Sequence, residues 1–272
     1  MMNYFKMFIL LCPLAISMAM GQGTLKSNIA YYPESISAQD SYMQERCVLD
    51  VYVPDNAKGL PTLLWFHGGG LEGGNKSIPS TLKTGKFIVV AANYRFSPKV
   101  RHPAYIEDAA AATAWVFNHI GDMGGDANKI IITGHSAGGY LASMVGLDKS
   151  YLAKYNIDAN RLAGIAPLSG HCITHMTVRK ELGIGQKQPT IDKYAPLFHA
   201  RGDAPPMLLI TGDREMEMLG RYEENALMMR MMKLNGHQDV TLYEMDGYGH
   251  SMLVPAYLPL MGFANRVTSS KN

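Results

Sequence analysis

A serine at position 136, between Gly134-His135 and Ala137-Gly138, is the residue of this 272-residue chain best placed to act as a nucleophile. The apolar run Lys129-Ile130-Ile131-Ile132-Thr133 precedes it and the helix-compatible Tyr140-Leu141-Ala142-Ser143-Met144-Val145 follows. The pattern predicts a strand, a sharp turn and a helix with the serine at the apex. Such a turn brings strand and helix backbones so close that a Cβ at either flanking position would collide, hence the glycines, while the serine takes a strained conformation that exposes its Oγ. A hydroxyl is a weak nucleophile on its own and needs a base.

Nine histidines compete for that role. His250 is preferred, because Asp246-Gly247-Tyr248-Gly249-His250 is a loop after the alternating strand Val240 to Met245, from which an imidazole reaches over the serine. An imidazole titrating near neutrality takes a proton and returns it equally well. His67 and His135 belong to the glycine loop and the elbow, and His102, His119 and His237 fall on helix or turn segments. A carboxylate must then hold the imidazole tautomer. Thr211-Gly212-Asp213-Arg214-Glu215, at the end of the strand Met207 to Ile210, offers Asp213 and Glu215, with Glu217 third in order. Upstream, Leu63-Leu64-Trp65-Phe66-His67-Gly68-Gly69-Gly70 is an apolar strand running into three glycines. The amides of Gly68, Gly69 and Ala137 are the candidate donors for the negative charge of a tetrahedral intermediate.

These segments, together with Asp126-Ala127-Asn128 before the elbow strand and Asn93-Tyr94-Arg95, resemble the α/β-hydrolase superfamily. Within it the chain is most similar to the esterase/lipase branch, which includes hormone-sensitive-lipase-like carboxylesterases and bacterial feruloyl and acetyl esterases. The resemblance runs from about Cys47 to Met261. It implies an α/β fold, a mostly parallel, doubly wound eight-stranded sheet flanked by helices, and a serine esterase working through an acyl-enzyme. Carboxylates in such hydrolases usually lie three residues past the strand-ending glycine, which selects Glu215, so Ser136, Glu215 and His250 are the expected triad. Short acyl, acetyl or feruloyl esters of plant polysaccharide are the expected substrates, small molecules or oligosaccharides, with no metal or organic cofactor. An amidase of the arylformamidase kind and a non-catalytic binding protein on the same fold are the alternatives. The chain departs from the family in carrying Glu where many relatives have Asp, and in having no counterpart of the N-terminal helical cap between the leader and Cys47.

Composition agrees with one large core: 47% of residues are hydrophobic, 18% charged, and the formal net charge is +2. A charge so near zero points to neither nucleic acid nor an anionic membrane as partner. Residues 1–21 carry Lys6, an apolar run from Met7 to Ile16 interrupted by Pro13, and small residues at Ser17, Ala19 and Gly21. That is the pattern of a secretory leader, so the expectation is a periplasmic or secreted single domain over residues 22–272, free of the membrane once the leader is cleaved. Cys12 would leave with it. Cys47 and Cys172 remain, either paired or as two free buried thiols.

Strands and helices are expected to alternate. Cys47 to Val53 reads as a strand with Leu49, Val51 and Val53 on one face, whereas Thr62 to Phe66 and Phe87 to Ala92 are continuous apolar runs typical of strands covered on both sides. A helix opens at Pro103 and runs through Ile120, Arg161 to Leu168 is a strand, and a helix from Tyr222 ends before Asn235-Gly236. In that last helix most of the Met-rich run Leu227-Met228-Met229-Arg230-Met231-Met232 is expected to pack against the sheet. His171-Cys172-Ile173-Thr174-His175 is expected to border the site rather than bind metal. Substrate selection is expected from Leu71 to Gly74, His171 to Ala200 and Ser251 to Leu253, with Glu72 and Lys76 as polar candidates.

Overall fold

Eight strands form one sheet in the order β1-β2-β4-β3-β5-β6-β7-β8. They are β1 Gly23–Ala30, β2 Val48–Pro54, β3 Leu60–Phe66, β4 Ile88–Ala92, β5 Gly125–His135, β6 Gly164–Leu168, β7 Met207–Gly212 and β8 Val240–Met245. The computed structural model describes residues 22–269, so the expected leader lies outside the described residues. Strands β3 to β8 run parallel, and only β2 opposes its neighbours β1 and β4.

The continuous apolar runs arise because successive side chains enter two different cores. In β3, Leu64 and Phe66 face one layer while Leu63 and Trp65 face the other; in β5, Ile130 and Ile132 oppose Ile131 in the same way. Every one of these residues is buried. With both faces covered, a strand has no polar side to show. Among the described residues eight α-helices accompany the sheet: α1 Glu34–Ser37, α2 Ser41–Arg46, α3 Ala104–His119, α4 Ala137–Leu147, α5 Lys149–Ala153, α6 Met176–Glu181, α7 Arg221–Leu234 and α8 Leu253–Thr268. Helices α3, α4 and α7 contribute to one layer and α8 to the other. The alanines of α3, Ala109 to Ala112 and Ala114, are all buried, as close packing on a sheet requires. In α7, Met228 and Met232 are fully buried and Met229 and Met231 partly so, while Leu227 stays exposed.

Several boundaries differ from the sequence expectation. Residue Cys47 caps α2 instead of opening a strand, and β6 starts at Gly164 because a 3-10 turn occupies Ala159–Arg161. Strand β1 was not anticipated: all but one of its residues are exposed, so pairing with β2 through the backbone leaves no alternation to read. Helix α8 begins where a substrate-facing loop was expected, and Met252 is buried in the second core, out of reach of a ligand.

One buried polar cluster ties the sheet to α3. The Asp108 carboxylate, fully buried, accepts from Arg95 Nη2 at 2.7 Å, Arg95 Nε at 2.9 Å, the Arg95 amide at 3.0 Å and the Tyr32 hydroxyl at 3.0 Å. Removing one member of a buried ion pair leaves the other desolvated and unpaired. Replacement Asp108→Ala is therefore expected to cost about 3–5 kcal/mol, read as a lower midpoint in urea at unchanged slope.

Candidate active site

The segments singled out for chemistry leave the carboxyl ends of parallel strands: the glycine loop follows β3, the serine β5, the acidic turn β7 and the histidine loop β8. Parallel strands present all their carboxyl ends on one edge, so residues far apart in the chain converge there.

At the elbow, Ser136 has φ 55° and ψ −116°, a conformation that side chains rarely adopt. A Cβ on Gly134 would stand 2.5 Å from the Phe66 carbonyl oxygen, and one on Gly138 would collide with that same carbonyl. The serine amide donates to Leu168 O at 2.8 Å and its carbonyl accepts from the Tyr140 amide at 3.0 Å, closing the turn into α4. Its Oγ lies 2.9 Å from His250 Nε2. Helix α4 starts at Ala137, so the amide of that residue is among the helix-terminal donors that need a partner from outside the helix.

The carboxylate on the far side of the imidazole is Glu217, whose Oε1 lies 2.6 Å from His250 Nδ1. This corrects the expected Glu215. That side chain is exposed, beside Asp213, Arg214, Glu244 and Asp246. Asp213 is not the partner either; its carboxylate accepts the Glu215 amide at 2.9 Å and the Gly247 amide at 2.9 Å. Those bonds, with the Met216 and Glu217 amides donating to Asp213 O, wind the chain through an extra turn after β7. The turn carries residue 215 outward and brings 217 back under the strand end, where its Oε2 accepts from the Gly212 amide at 3.0 Å.

The Glu217 side chain is only 1% exposed. Burial by itself pushes a carboxyl up, but His250, the Met218 amide, the Ser169 hydroxyl and the Gly212 amide all donate to it and hold it at about 2. From an ordinary 4.5 the gap is on the order of 3 kcal/mol of stability. Because the folded value is depressed, that contribution is full above pH 4.5 and is lost as pH falls toward 2. Thermal melts at pH 6 and pH 3 are expected to differ less for Glu217→Gln than for the wild type.

Two further residues were not anticipated in these roles. Ser169, with φ 48°, donates its hydroxyl to Glu217 Oε2 at 2.8 Å and stands 2.9 Å from His250 Nδ1. Its own carbonyl accepts from the buried Arg221 guanidinium. His135, the variable residue of the elbow, places Nε2 2.8 Å from the His250 carbonyl. Burial lowers its imidazole to about 4, so at neutral pH it is uncharged and Nε2–H is the donor. Serine and histidine carriers are thereby tied to each other by backbone as well as by side chain. The only sequence signal for Ser169 was its place one residue past a strand on the shared edge.

Gly69 and Gly70 line the same 300 Å³ pocket as Ser136, His250, His171, His175 and Arg221. A Cβ on Gly68 would stand 3.4 Å from the Ser136 Cβ, so the loop passes directly over the nucleophile. Gly69, at φ 121°, accepts from the amides of Glu72 and Gly73 in a turn too tight for a side chain. The structure thus brings Gly68, Gly69 and Ala137 around Ser136. His67 stacks on Tyr94 at 4.5 Å between ring centres, and the Tyr94 hydroxyl donates to His67 O at 2.9 Å, which steadies the loop from below. Lys76 is committed elsewhere, to Asp50 at 2.6 Å and Asn28 at 2.9 Å, and Glu72 pairs with Lys180 at 2.9 Å on the surface. Among the described residues no group of three or more His, Cys, Asp or Glu side chains is arranged to hold a metal ion. Cys47 and Cys172 are free and buried.

Residues 49–163, which hold the glycine loop and the elbow, match the family model BD-FAE. The chain is 32% identical over 175 residues to a protein named probable carboxylic ester hydrolase LipM of Mycobacterium tuberculosis, covering 56% of this chain and 40% of that one. It is 26% identical over 222 residues to esterase LipC of the same organism, covering 71% of this chain and 53% of that one. The chain therefore spans about half the length, or less, of these curated relatives. Among solved structures, a truncated carbohydrate esterase from gut microbiota superposes with a TM-score of 0.70 at 17% identity, covering 92% of this chain and 99% of that one. Esterase 2 of Thermogutta terrifontis does so with a TM-score of 0.67 at 20% identity, over 94% and 96%. Both have the same fold.

Proposed function

We propose that the chain is an α/β hydrolase of the esterase/lipase branch and that it hydrolyses carboxylic esters through an acyl-enzyme on Ser136, a reading supported by the family-model match, the esterase relatives and the shared fold. The observation that carries the reading is the continuous line from Ser136 Oγ to His250 Nε2 at 2.9 Å and from His250 Nδ1 to Glu217 at 2.6 Å. A buried carboxylate held ionised fixes the proton on Nδ1, leaving the Nε2 lone pair toward the serine. His250 then removes the hydroxyl proton as Oγ attacks the ester carbonyl. The charge that appears on the carbonyl oxygen is met by the amides of Gly68, Gly69 and Ala137, fixed in advance by the glycine turn and the helix terminus. Collapse expels the alcohol, which takes its proton from His250, and water repeats the sequence on the acyl-enzyme.

Short acyl or aryl esters suit the open 300 Å³ pocket, and acetyl or feruloyl groups on plant polysaccharide are the substrates this reading favours. The leader-like residues 1–21 support a periplasmic or secreted location. Esters and amides are separated by comparing p-nitrophenyl acetate with N-formylkynurenine, and a burst of p-nitrophenol before steady turnover reports the acyl-enzyme. Preference for the formyl amide would replace the esterase by an amidase on the same triad. Failure of a fluorophosphonate to label Ser136 would overturn the catalytic reading altogether.

A further inference from the structure

An oxyanion donor is only as well aimed as the peptide plane that carries it. Because the peptide is planar and trans, fixing a carbonyl oxygen also fixes the direction of the N–H on the next residue. In the glycine loop, His67 O accepts from the Tyr94 hydroxyl at 2.9 Å, which aims the Gly68 amide. Gly68 O accepts from His67 Nδ1 at 2.7 Å, which aims the Gly69 amide. Gly69 O accepts from the amides of Glu72 and Gly73 at 3.0 and 3.1 Å, and Leu71 O from the Ser97 amide at 2.9 Å. All of these donors lie within residues 67–97.

Gly70 O is held differently. Its donor is the Thr177 hydroxyl, in the first turn of α6, 107 residues along the chain. Thr177 is 3% exposed, which leaves little room for water to take over the bond. The need for a tie is greatest at this point, because Gly69, Gly70 and Leu71 all have positive φ, 121°, 66° and 62°. A leucine in the left-handed region persists only where its surroundings hold it, and the glycines before it give the backbone easy alternatives. Helix α6 also reaches the nucleophile pocket. Met176 and His175 line it beside Ser136, and the Thr177 amide donates to His175 Nδ1 at 3.1 Å. The element that walls the substrate space is thus the one that anchors the far end of the glycine turn.

We propose that Thr177 is a positioning residue for the oxyanion donors: its hydroxyl, through Gly70 O, holds the glycine turn in the arrangement that aims the Gly68 and Gly69 amides over Ser136. It acts through the backbone of the loop and not on the substrate. A second tie between α6 and the loop, Lys180 to Glu72 at 2.9 Å, lies on the surface with both side chains exposed, where an ion pair contributes little. The effect on turnover rests on the ester-hydrolase reading, whereas the anchoring is measurable with no substrate present.

Hydrogen–deuterium exchange of the substrate-free protein reads the anchor. The Glu72 and Gly73 amides, bonded to Gly69 O, are expected to exchange about tenfold faster in Thr177→Val than in the wild type, and at close to the wild-type rate in Thr177→Ser, with β4 unchanged. Thr177→Ala, which has no γ-methyl to press on the carbonyl, is expected to match the valine variant. Unchanged exchange in both overturns the anchor. In turnover, acylation and deacylation both pass through an oxyanion. The kcat for p-nitrophenyl acetate is therefore expected to fall about tenfold in Thr177→Val with KM within about twofold, less than the roughly 10²–10³-fold of losing a donor outright. Binding of an aryl trifluoromethyl ketone, which forms a tetrahedral adduct on a serine, is expected to weaken by the same factor. Thr177→Ser is expected to restore both, and Lys180→Met to stay within about twofold of the wild type. A raised KM at unchanged kcat, faster exchange with unchanged kcat, or an equal loss in Lys180→Met overturns the positioning role. A wild type that hydrolyses no ester while exchange responds as expected would count against the reading of Ser136 and leave the anchor standing.

Discussion

Replacement of Ser136 by alanine is expected to lower kcat for p-nitrophenyl acetate by about 10⁶-fold, the loss that follows when a serine nucleophile is removed. The elbow geometry makes the prediction sharp. Position 136 is held at φ 55° with its Oγ 2.9 Å from His250 Nε2, and alanine removes the reacting atom while leaving most of the backbone hydrogen bonds of the turn. Residual catalysis over water, about 10³–10⁴-fold, would come from the amide donors and from binding alone. Steady-state kinetics of the purified variant, with its circular dichroism compared to the wild type, checks this. A variant within tenfold of the wild type would mean that the ester is cleaved by another group.

Replacement Glu217→Gln is expected to cost about 10⁴-fold in kcat, with KM little changed, because an amide neither fixes the productive tautomer nor balances the imidazolium that forms. Glu215→Gln is the paired control and is expected to stay within about twofold, its side chain being exposed among Asp213, Arg214, Glu244 and Asp246. The two positions are separated by a single residue, so nonspecific damage to the turn would affect both. The reverse pattern, a large loss at 215 and none at 217, would show that the turn after β7 is wound differently in solution.

The elbow serine, the glycine loop, the histidine loop and their order along the chain were all legible in the sequence, because each depends on a few consecutive residues. Gly134, Ser136 and Gly138 are demanded by one tight turn, and Ile130 to Ile132 by one strand covered on both faces. Periodicity located α3 to within a residue of Pro103, and β8 over Val240–Met245. Strand β1 escaped because an exposed edge strand held by its backbone imposes no pattern on its side chains.

The acid was lost for a different reason. Counting residues past Gly212 assumes a direct exit from the strand, whereas the Gly247 amide donating to the Asp213 carboxylate and the Asp213 amide donating to Tyr248 O, across to the β8 loop, hold a turn that no local pattern announces. Local spacing therefore determined which residue types can react, and in what order the chain delivers them. Only the tertiary structure decided which carboxylate meets His250, and that Ser169 and His135 hold the pair in place. Those contacts span from about thirty to more than a hundred residues of chain, and their geometry is set by the edge where parallel strands end together.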